Sequence, residues 1–215
     1  MSLEEIREQN KQRVVQAALD VFVCQGIAGT TVADIARAAG VTERSVYRYY
    51  KTKLDLVQAA AYLYYDRMTQ EANLRAQKVC ASGVPGIEQV RQILMFYSHM
   101  YLEYPAQIRF CADAEMALSS AGREKEDVNW PPERFEISDS PLVRAIRCGL
   151  EDGTISSEID VASLYYNAYD SILGVMEKMS YDRRSLRQDA KARMDQLCDL
   201  FVAAFRGDCL KNGQK

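Results

Sequence analysis

Positively charged and aromatic residues are concentrated in one short segment of an acidic chain. Residues 42–53 read TERSVYRYYKTK and hold three tyrosines, two arginines and two lysines, whereas the chain of 215 residues has a formal net charge of −3. Arginine can bridge O6 and N7 of guanine in a DNA major groove, and hydroxyl groups can reach phosphates or base edges. Residues 31–53 contain five basic and two acidic residues, so the pattern indicates a localised contact with a polyanion.

The side chains available for this contact are those that a helix beginning at residue 42 would expose. They are Thr42, Glu43, Arg44, Ser45, Tyr47 and Arg48. Lys53 and Thr31 stand at two other predicted helix starts, where free backbone N–H groups can bind a phosphate. The alternative interpretation is a solvated basic face with tyrosines in the core, and core packing is the favoured interpretation for Tyr50.

Three short helices are predicted to position these side chains. Apolar residues at 14, 18, 21 and 22 form a helical stripe, which Gly26 should end. The sequence TVAD at 31–34 is a capping-box-like start of a second helix, which should end at Gly40. Thr42 can then cap a third helix that runs to about Tyr50.

The second and third helices have the spacing of a helix-turn-helix. Ala36 is small where two helices would cross, and Gly40, four residues later, can adopt a positive φ in the turn. Helices shorter than ten residues are unstable alone, so both should pack on the first helix.

Six more helices are predicted, and no segment shows the alternation or hairpin turns of β-strands. Their approximate ranges are 53–81, 86–103, 105–119, 140–152, 159–181 and 184–206. The predicted fold class is therefore all-α with nine helices. Residues 93–102 are apolar nearly all round, which predicts a helix segment buried on every side. The polar stretch 119–139, with Trp130 and Phe135, is either a functional flap that closes over a pocket or disordered.

The two C-terminal helices carry more apolar surface than one neighbour can cover. The eighth has one face that runs from Val161 to Met179 and a second with Tyr166, Tyr169 and Leu173. Such a pair leaves a broad face for a second copy, as in a four-helix bundle, which predicts a homodimer. The alternative is that both helices pack only within one chain.

Residues 17–61, AALDVFVCQGIAGTTVADIARAAGVTERSVYRYYKTKLDLVQAA, resemble the DNA-binding domain of the TetR (tetracycline-repressor-like) family. The resemblance implies an all-helical homodimer with a helix-turn-helix DNA-binding domain at 1–52. It also implies a ligand-sensing and dimerisation domain at 53–215, with dimer contacts through the last two helices. Carried over to this sequence, the DNA contacts of the family fall on Thr31, Thr42, Arg44, Ser45, Tyr47, Arg48, Tyr49 and Lys53. Arg48 stands where the family often has His or Tyr, so base preference is not carried over.

Effector binding is predicted for inward-facing residues of the fourth to eighth helices. The candidates are Tyr62, Tyr65, Met95, Phe96, His99, Met100, Phe110, Cys111, Glu115 and Tyr166. For any single one of them an ordinary core residue is the favoured interpretation, although some must border a cavity if one exists. Glu115 shares a helical face with apolar neighbours, so we expect a buried carboxylate that pairs with a neighbour such as Arg91 or Arg144 or awaits a cationic or hydroxylated ligand.

The function predicted from these features is a ligand-responsive regulator, most simply a repressor that binds a near-palindromic DNA operator and is released by a small-molecule effector. The alternative is an effector-independent nucleoid or division protein. A single His and six scattered Cys supply neither a nucleophile–base pair nor a metal cluster, so no enzyme activity, metal or cofactor is expected. The N-terminus has no apolar signal region and no run could span a bilayer, so a cytoplasmic protein without membrane contact is expected.

Overall fold

The all-α class is confirmed by a computed structural model, which describes residues 2–81, 83–122, 138–181 and 190–208. These residues form nine α-helices and no strand. The helices are α1 (Leu3–Gly29), α2 (Val32–Ala38), α3 (Glu43–Tyr49), α4 (Lys53–Ala81), α5 (Gly86–Glu103), α6 (Pro105–Ser120), α7 (Pro141–Glu151), α8 (Val161–Tyr181) and α9 (Ala190–Phe205). None of these helices combines the length and apolar character that a membrane span requires. Trp130 and Phe135 lie outside the described residues.

The described residues pack into two compact units. The first comprises residues 2–68 and 106–122, and the second comprises residues 69–105, 138–181 and 190–208. Helix α4 therefore contributes its first half to one unit and its second half to the other. This division by packing differs from the predicted division by function at residues 52 and 53, which stays a prediction.

The first unit is built around the apolar stripe of α1. Phe22 is buried and stacks on Phe110 of α6, with ring centroids 5.7 Å apart, and Ile35 of α2 and Val46 of α3 are fully buried. Gly26 interrupts the helical geometry of α1 with φ 76° and ψ 160°, and a short turn follows to Gly29. The predicted helix end is thus a kink, because glycine adopts positive φ without the steric cost of a Cβ.

In the second unit, side chains that follow α7 accept hydrogen bonds from the first backbone N–H groups of α5. The Gly86 N–H donates to Asp152 Oδ2 at 2.7 Å, and the Ile87 N–H donates to Thr154 Oγ1 at 3.0 Å. These bonds satisfy two N–H groups that Pro85 cannot cap. Hydrogen bonds from Thr154 and from the Gly86 backbone hold the pKa of Asp152 below its ordinary value.

Burial on every side of α5 is a wrong prediction for this single chain. Val90 and Leu94 are buried, but Phe96 and Tyr97 are only half-buried and Leu102 is exposed. In α9 the predicted seam is buried at Met194 and Cys198, whereas Leu200 is 62% exposed. The predicted second face of α8, Tyr166, Tyr169 and Leu173, is likewise half-buried.

Candidate nucleic-acid interface and effector cavity

A tight turn between α2 and α3 sets the position of the charged helix. Gly40 has φ 64°, and the Val41 N–H donates to the Ala36 carbonyl at 3.0 Å, which is the hydrogen bond of a Schellman helix end. Val46 then anchors the inner face of α3, since it is fully buried. The outer face of α3 is consequently held away from the core.

Hydroxyl caps fix the starts of α2, α3 and α4, as the sequence predicts. Asp34 and Thr31 form a complete capping box, with the Asp34 N–H donating to Thr31 Oγ1 at 3.2 Å and the Thr31 N–H donating to Asp34 Oδ2 at 3.0 Å. The Ser45 N–H donates to Thr42 Oγ1 at 3.2 Å. Hydrogen bonds from the Thr31 side chain and backbone hold the pKa of Asp34 below its ordinary value, and Arg37 adds a smaller effect.

The cations beyond α2 are available to an external anion. Arg37 forms an ion pair with Asp34, with 3.2 Å between Arg37 Nη2 and Asp34 Oδ1. In contrast, Arg44, Lys51 and Lys53 form no ion pair with any described residue, and the first two of these side chains are exposed. We call the surface formed by residues 42–53 the α3 surface.

The aromatic residues of the α3 surface differ in their roles. Tyr47 is 49% exposed, so its ring is presented outward. The Arg48 guanidinium lies over the Tyr49 ring, 5.0 Å from its centroid, and donates to the Tyr49 hydroxyl at 2.9 Å. Tyr50 is half-buried, and burial together with the charge of Glu8 raises the pKa of its phenol to about 12.

The structure brings all eight predicted DNA-contact residues onto the first unit, and none of them is fully buried. Sequence reasoning missed Lys51, an exposed cation within the same segment. The sequence did indicate it, because Lys51 lies between the predicted end of α3 and the Thr52 cap of α4, and a lysine in such a short connection is usually exposed.

A cavity of about 380 Å³ lies between the second half of α4 and α5, within the second unit. The residues that line it are Ala72, Arg75, Lys78, Val79, Gln92, Ile93, Met95, Phe96 and His99. Three of the ten predicted effector residues, Met95, Phe96 and His99, are among them. Arg75 and Lys78 were missed, although their spacing of three residues places them on one face of a helix.

The other predicted effector residues do not line this cavity. Phe110 and Cys111 are buried core residues of the first unit, and Met100 is buried in α5. Tyr62 and Tyr65 are half-buried in α4, and Tyr166 is half-buried in α8, where its ring lies edge-on to Tyr165. Their assignment to an effector stays a prediction.

Glu115 does not have the buried carboxylate that its sequence position predicts. Its side chain is of intermediate exposure, whereas the buried face of α6 runs through Cys111, Ala114 and Leu118. The face predicted for Glu115 was rotated by about one position, so the buried carboxylate is wrong. The two arginines named as its partners are engaged otherwise, Arg91 by Asp199 and Arg144 by Asp139 and Asn73.

His99, the one histidine of the chain, is both satisfied and on the cavity wall. Its Nε2 lies 2.6 Å from Asp195 Oδ1, and the other carboxylate oxygen of Asp195 accepts a hydrogen bond from Lys191 at 2.7 Å. Although burial alone would raise it, the hydrogen bonds from Lys191 and His99 hold the pKa of Asp195 below its ordinary value. The hydrogen bond between His99 and Asp195 therefore links α5 to α9.

The described cysteines are free thiols. Among the described residues no three His, Cys, Asp or Glu side chains are grouped as a metal site would require.

Comparison with known proteins places the strongest similarity over the helix-turn-helix. Residues 14–60 match the family described as "Bacterial regulatory proteins, tetR family". The HTH-type transcriptional regulator SrpR of Pseudomonas putida is 48% identical over 52 residues, which is 24% of this chain and 24% of that relative. This match thus spans about a quarter of the length of such relatives.

Similarity over most of the chain is weaker. The HTH-type transcriptional regulator CymR of Pseudomonas putida is 25% identical over 193 residues, covering 88% of this chain and 85% of that relative. The fatty acid degradation regulator FadR from Bacillus halodurans shares the fold with a TM-score of 0.60 at 14% identity, over 89% of this chain and 94% of that one.

Proposed function

We propose, on the premise that the chain belongs to the TetR family of bacterial regulatory proteins, that it represses transcription as a DNA-bound homodimer and is released by a small-molecule effector. The observation that carries the proposal is the α3 surface. Its cations lack ion-pair partners among the described residues, and the Gly40 turn and the Thr42 cap hold them outward. The same residues lie within the segment that matches the family.

The division of work on DNA follows from side-chain chemistry. Arg44, Ser45, Tyr47 and Arg48 face the bases of a major groove, where arginine can contact guanine in two places. Thr31, Thr42, Tyr49 and Lys53 contact phosphates and set the register of the helix on the duplex. The stack of Arg48 on Tyr49 orders the guanidinium before DNA arrives, which lowers the entropy lost on binding.

The dimer would form through α8 and α9. Leu200 is 62% exposed and lies beside the half-buried Leu197 and Phe201 on α9, while Leu173 is half-buried on α8. A second copy that covers these side chains removes apolar surface from water. Two recognition helices in successive major grooves would be separated by about 34–36 Å or somewhat more.

The effector would act by preferring a conformer in which the recognition helices are wrongly spaced. It can shift the equilibrium only by its difference in affinity for the two conformers. Lys53 begins α4, and the cavity residues Ala72, Arg75 and Lys78 lie on the same helix, so one element carries both a DNA contact and an effector wall.

Selection of bound duplexes from a random DNA pool tests the proposal. The expected product is a near-palindromic site whose half-sites are about one helical turn apart, bound by two copies of the chain. Screening small molecules for release of that site completes the test. DNA binding that no effector relieves would support an effector-independent nucleoid or division protein, and the absence of any selected sequence would contradict the proposal.

A further inference from the structure

The cavity between α4 and α5 has an apolar floor and a cationic side. Ala72, Val79 and Ile93 supply aliphatic surface and Phe96 supplies an aromatic face. Its volume of about 380 Å³ suits a molecule at the smaller end of the range that protein pockets bind.

The charged residues that line the cavity are of one sign. Arg75 and Lys78 lie three residues apart on one face of α4 with exposed side chains, and no carboxylate of the described residues lines the wall. Like charges at this spacing repel each other, so an anion between them is favourable. Lys78 forms no ion pair with any residue that the structure describes.

Among the described residues, three carboxylates form hydrogen bonds to residues that line the cavity. Glu71 accepts a hydrogen bond from Arg75 at 2.8 Å, and Glu88 accepts one from Gln92 at 3.0 Å. Asp195 is held by His99 and Lys191. Arg75 keeps further donors, because a guanidinium has five N–H groups and the bond to Glu71 uses one of them.

The orientation of Arg75 is set by the cavity itself. Its guanidinium carbon lies 4.3 Å from the centroid of the Phe96 ring, in a cation–π contact between the two walls. A planar cation held in this way presents its edge to a carboxylate placed beside the ring, and the ring offers its remaining surface to an apolar group.

We infer that this cavity binds a small amphipathic anion, with an acidic group between Arg75 and Lys78 and an apolar or aromatic body against Phe96 and Ile93. This names the class of effector within the proposed function, on which it rests. A cation would meet like charges on α4, and a neutral analogue would gain no charge attraction from Lys78, which forms no ion pair with any described residue.

Two matched pairs of probes test the inference on the full chain. 4-Phenylbutanoate is compared with 4-phenylbutanamide, and octanoate with octanamide, by isothermal titration calorimetry. Each acid should bind about tenfold or more tightly than its amide, which corresponds to one charge-assisted hydrogen bond. Whichever acid has the lower Kd shows whether the cavity prefers a ligand with an aromatic or an aliphatic apolar part. The inference is overturned if an acid and its amide have equal Kd values, or if neither acid binds with a Kd below about 1 mM.

Substitutions locate the bound anion. Arg75→Met and Lys78→Met keep an unbranched apolar stem but remove the charge, and each should weaken the acid about tenfold while leaving the amide unchanged. Arg67→Met is the matched control, since Arg67 is exposed on the same helix and does not line the cavity. Thermal unfolding shows which variants fold. A folded Arg75→Met variant that binds the acid as well as the unmodified chain does overturns the inference.

A separate measurement distinguishes failure of the inference from failure of the proposed function. Acid binding that depends on Arg75 but leaves DNA affinity unchanged supports the anion site and contradicts effector release. Release of DNA by a ligand indifferent to Arg75→Met and Lys78→Met supports effector release and overturns the anion site.

Discussion

Each of the two compact units carries one arginine stacked on an aromatic ring, and the surroundings of the two pairs differ. On the α3 surface Arg48 lies 5.0 Å from the Tyr49 centroid, on an exposed helix with other cations around it. Between α4 and α5, Arg75 lies 4.3 Å from the Phe96 centroid and lines a cavity of about 380 Å³. Both arginines are exposed, but only Arg75 has an apolar cavity wall beside it, so the first pair suits a long polyanion and the second suits a small anion with an apolar body.

The difference has an energetic side. Contacts to DNA phosphates on an exposed surface release counterions and weaken steeply with salt. An anion beside the exposed Arg75 and Lys78 is also screened by salt, but its apolar body adds hydrophobic free energy against the apolar wall of the cavity. We therefore expect the first pair to give affinity that falls steeply with salt and the second to give affinity that depends more on the apolar shape of the ligand.

The largest effect is expected from adding one methyl group to the second unit, at Gly86. A Cβ at Gly86 would lie 2.1 Å from the Gly149 backbone nitrogen, so Gly86→Ala must displace α5 from α7. We expect a loss of about 3 kcal/mol in the free energy of unfolding, measured by urea denaturation.

Gly40→Ala is the comparison in the DNA-binding unit. Gly40 has φ 64° but nothing within 4 Å of an added Cβ, so only backbone strain of about 1 kcal/mol is expected. Equal losses for the two variants would show that α5 and α7 relax around the methyl group.

Arg48→Ala tests the base-reading role proposed for the arginine of the Arg48–Tyr49 pair. We expect a loss of about 1–3 kcal/mol of discrimination at one position of each half-site, because a two-point contact between arginine and guanine is lost. Selection from random DNA with the variant measures it. Unchanged base preference would show that Arg48 serves only to order Tyr49.

Lys53→Ala tests the phosphate contact proposed at the start of α4. Affinity should fall for every DNA sequence alike, and the slope of log K against log salt should flatten by roughly one. Fluorescence anisotropy between low and moderate salt measures the slope. Arg67→Ala serves as control, since Arg67 is engaged by Gln16 and lies outside the α3 surface. A salt slope that Lys53→Ala leaves unaltered contradicts the phosphate assignment.

The sequence predicted the first unit better than the second for a physical reason. Helix starts and turns are decided locally, by a hydroxyl at residue 31 or 42 and by a glycine at residue 40, so their signals lie within a few residues. The α4–α5 cavity depends on which faces of two helices meet, and periodicity alone does not specify that. Met95, Phe96 and His99 were found as inward-facing residues, whereas Arg75 was missed because a charged residue on an amphipathic helix usually faces solvent.

Glu115 shows the same limit at the scale of one residue. An error of one position rotates a helix by about 100°, which moved its carboxylate from the core to the edge of the buried face. The close approach of Gly86 to Gly149 likewise joins residues distant in the chain, and no local pattern reports it.

The smallest expected effect tests the cap beneath the α3 surface through pH. Hydrogen bonds from Thr31 lower the pKa of Asp34 in the folded chain, so its carboxylate stabilises the fold above the unfolded pKa. That contribution should begin to fall near pH 5, as the unfolded carboxyl takes up protons around its ordinary pKa near 4, and should be lost completely only when pH passes below the lowered folded pKa. The difference in unfolding free energy between the unmodified chain and Asp34→Asn should therefore shrink between pH 7 and pH 3, measured by urea denaturation. Glu43→Gln is the control, because Glu43 makes no hydrogen bond within the described residues and should give a difference that varies less with pH. A constant difference for Asp34→Asn would show that the amide replaces the carboxylate in the cap, which would separate the stability of α2 from the charge on it.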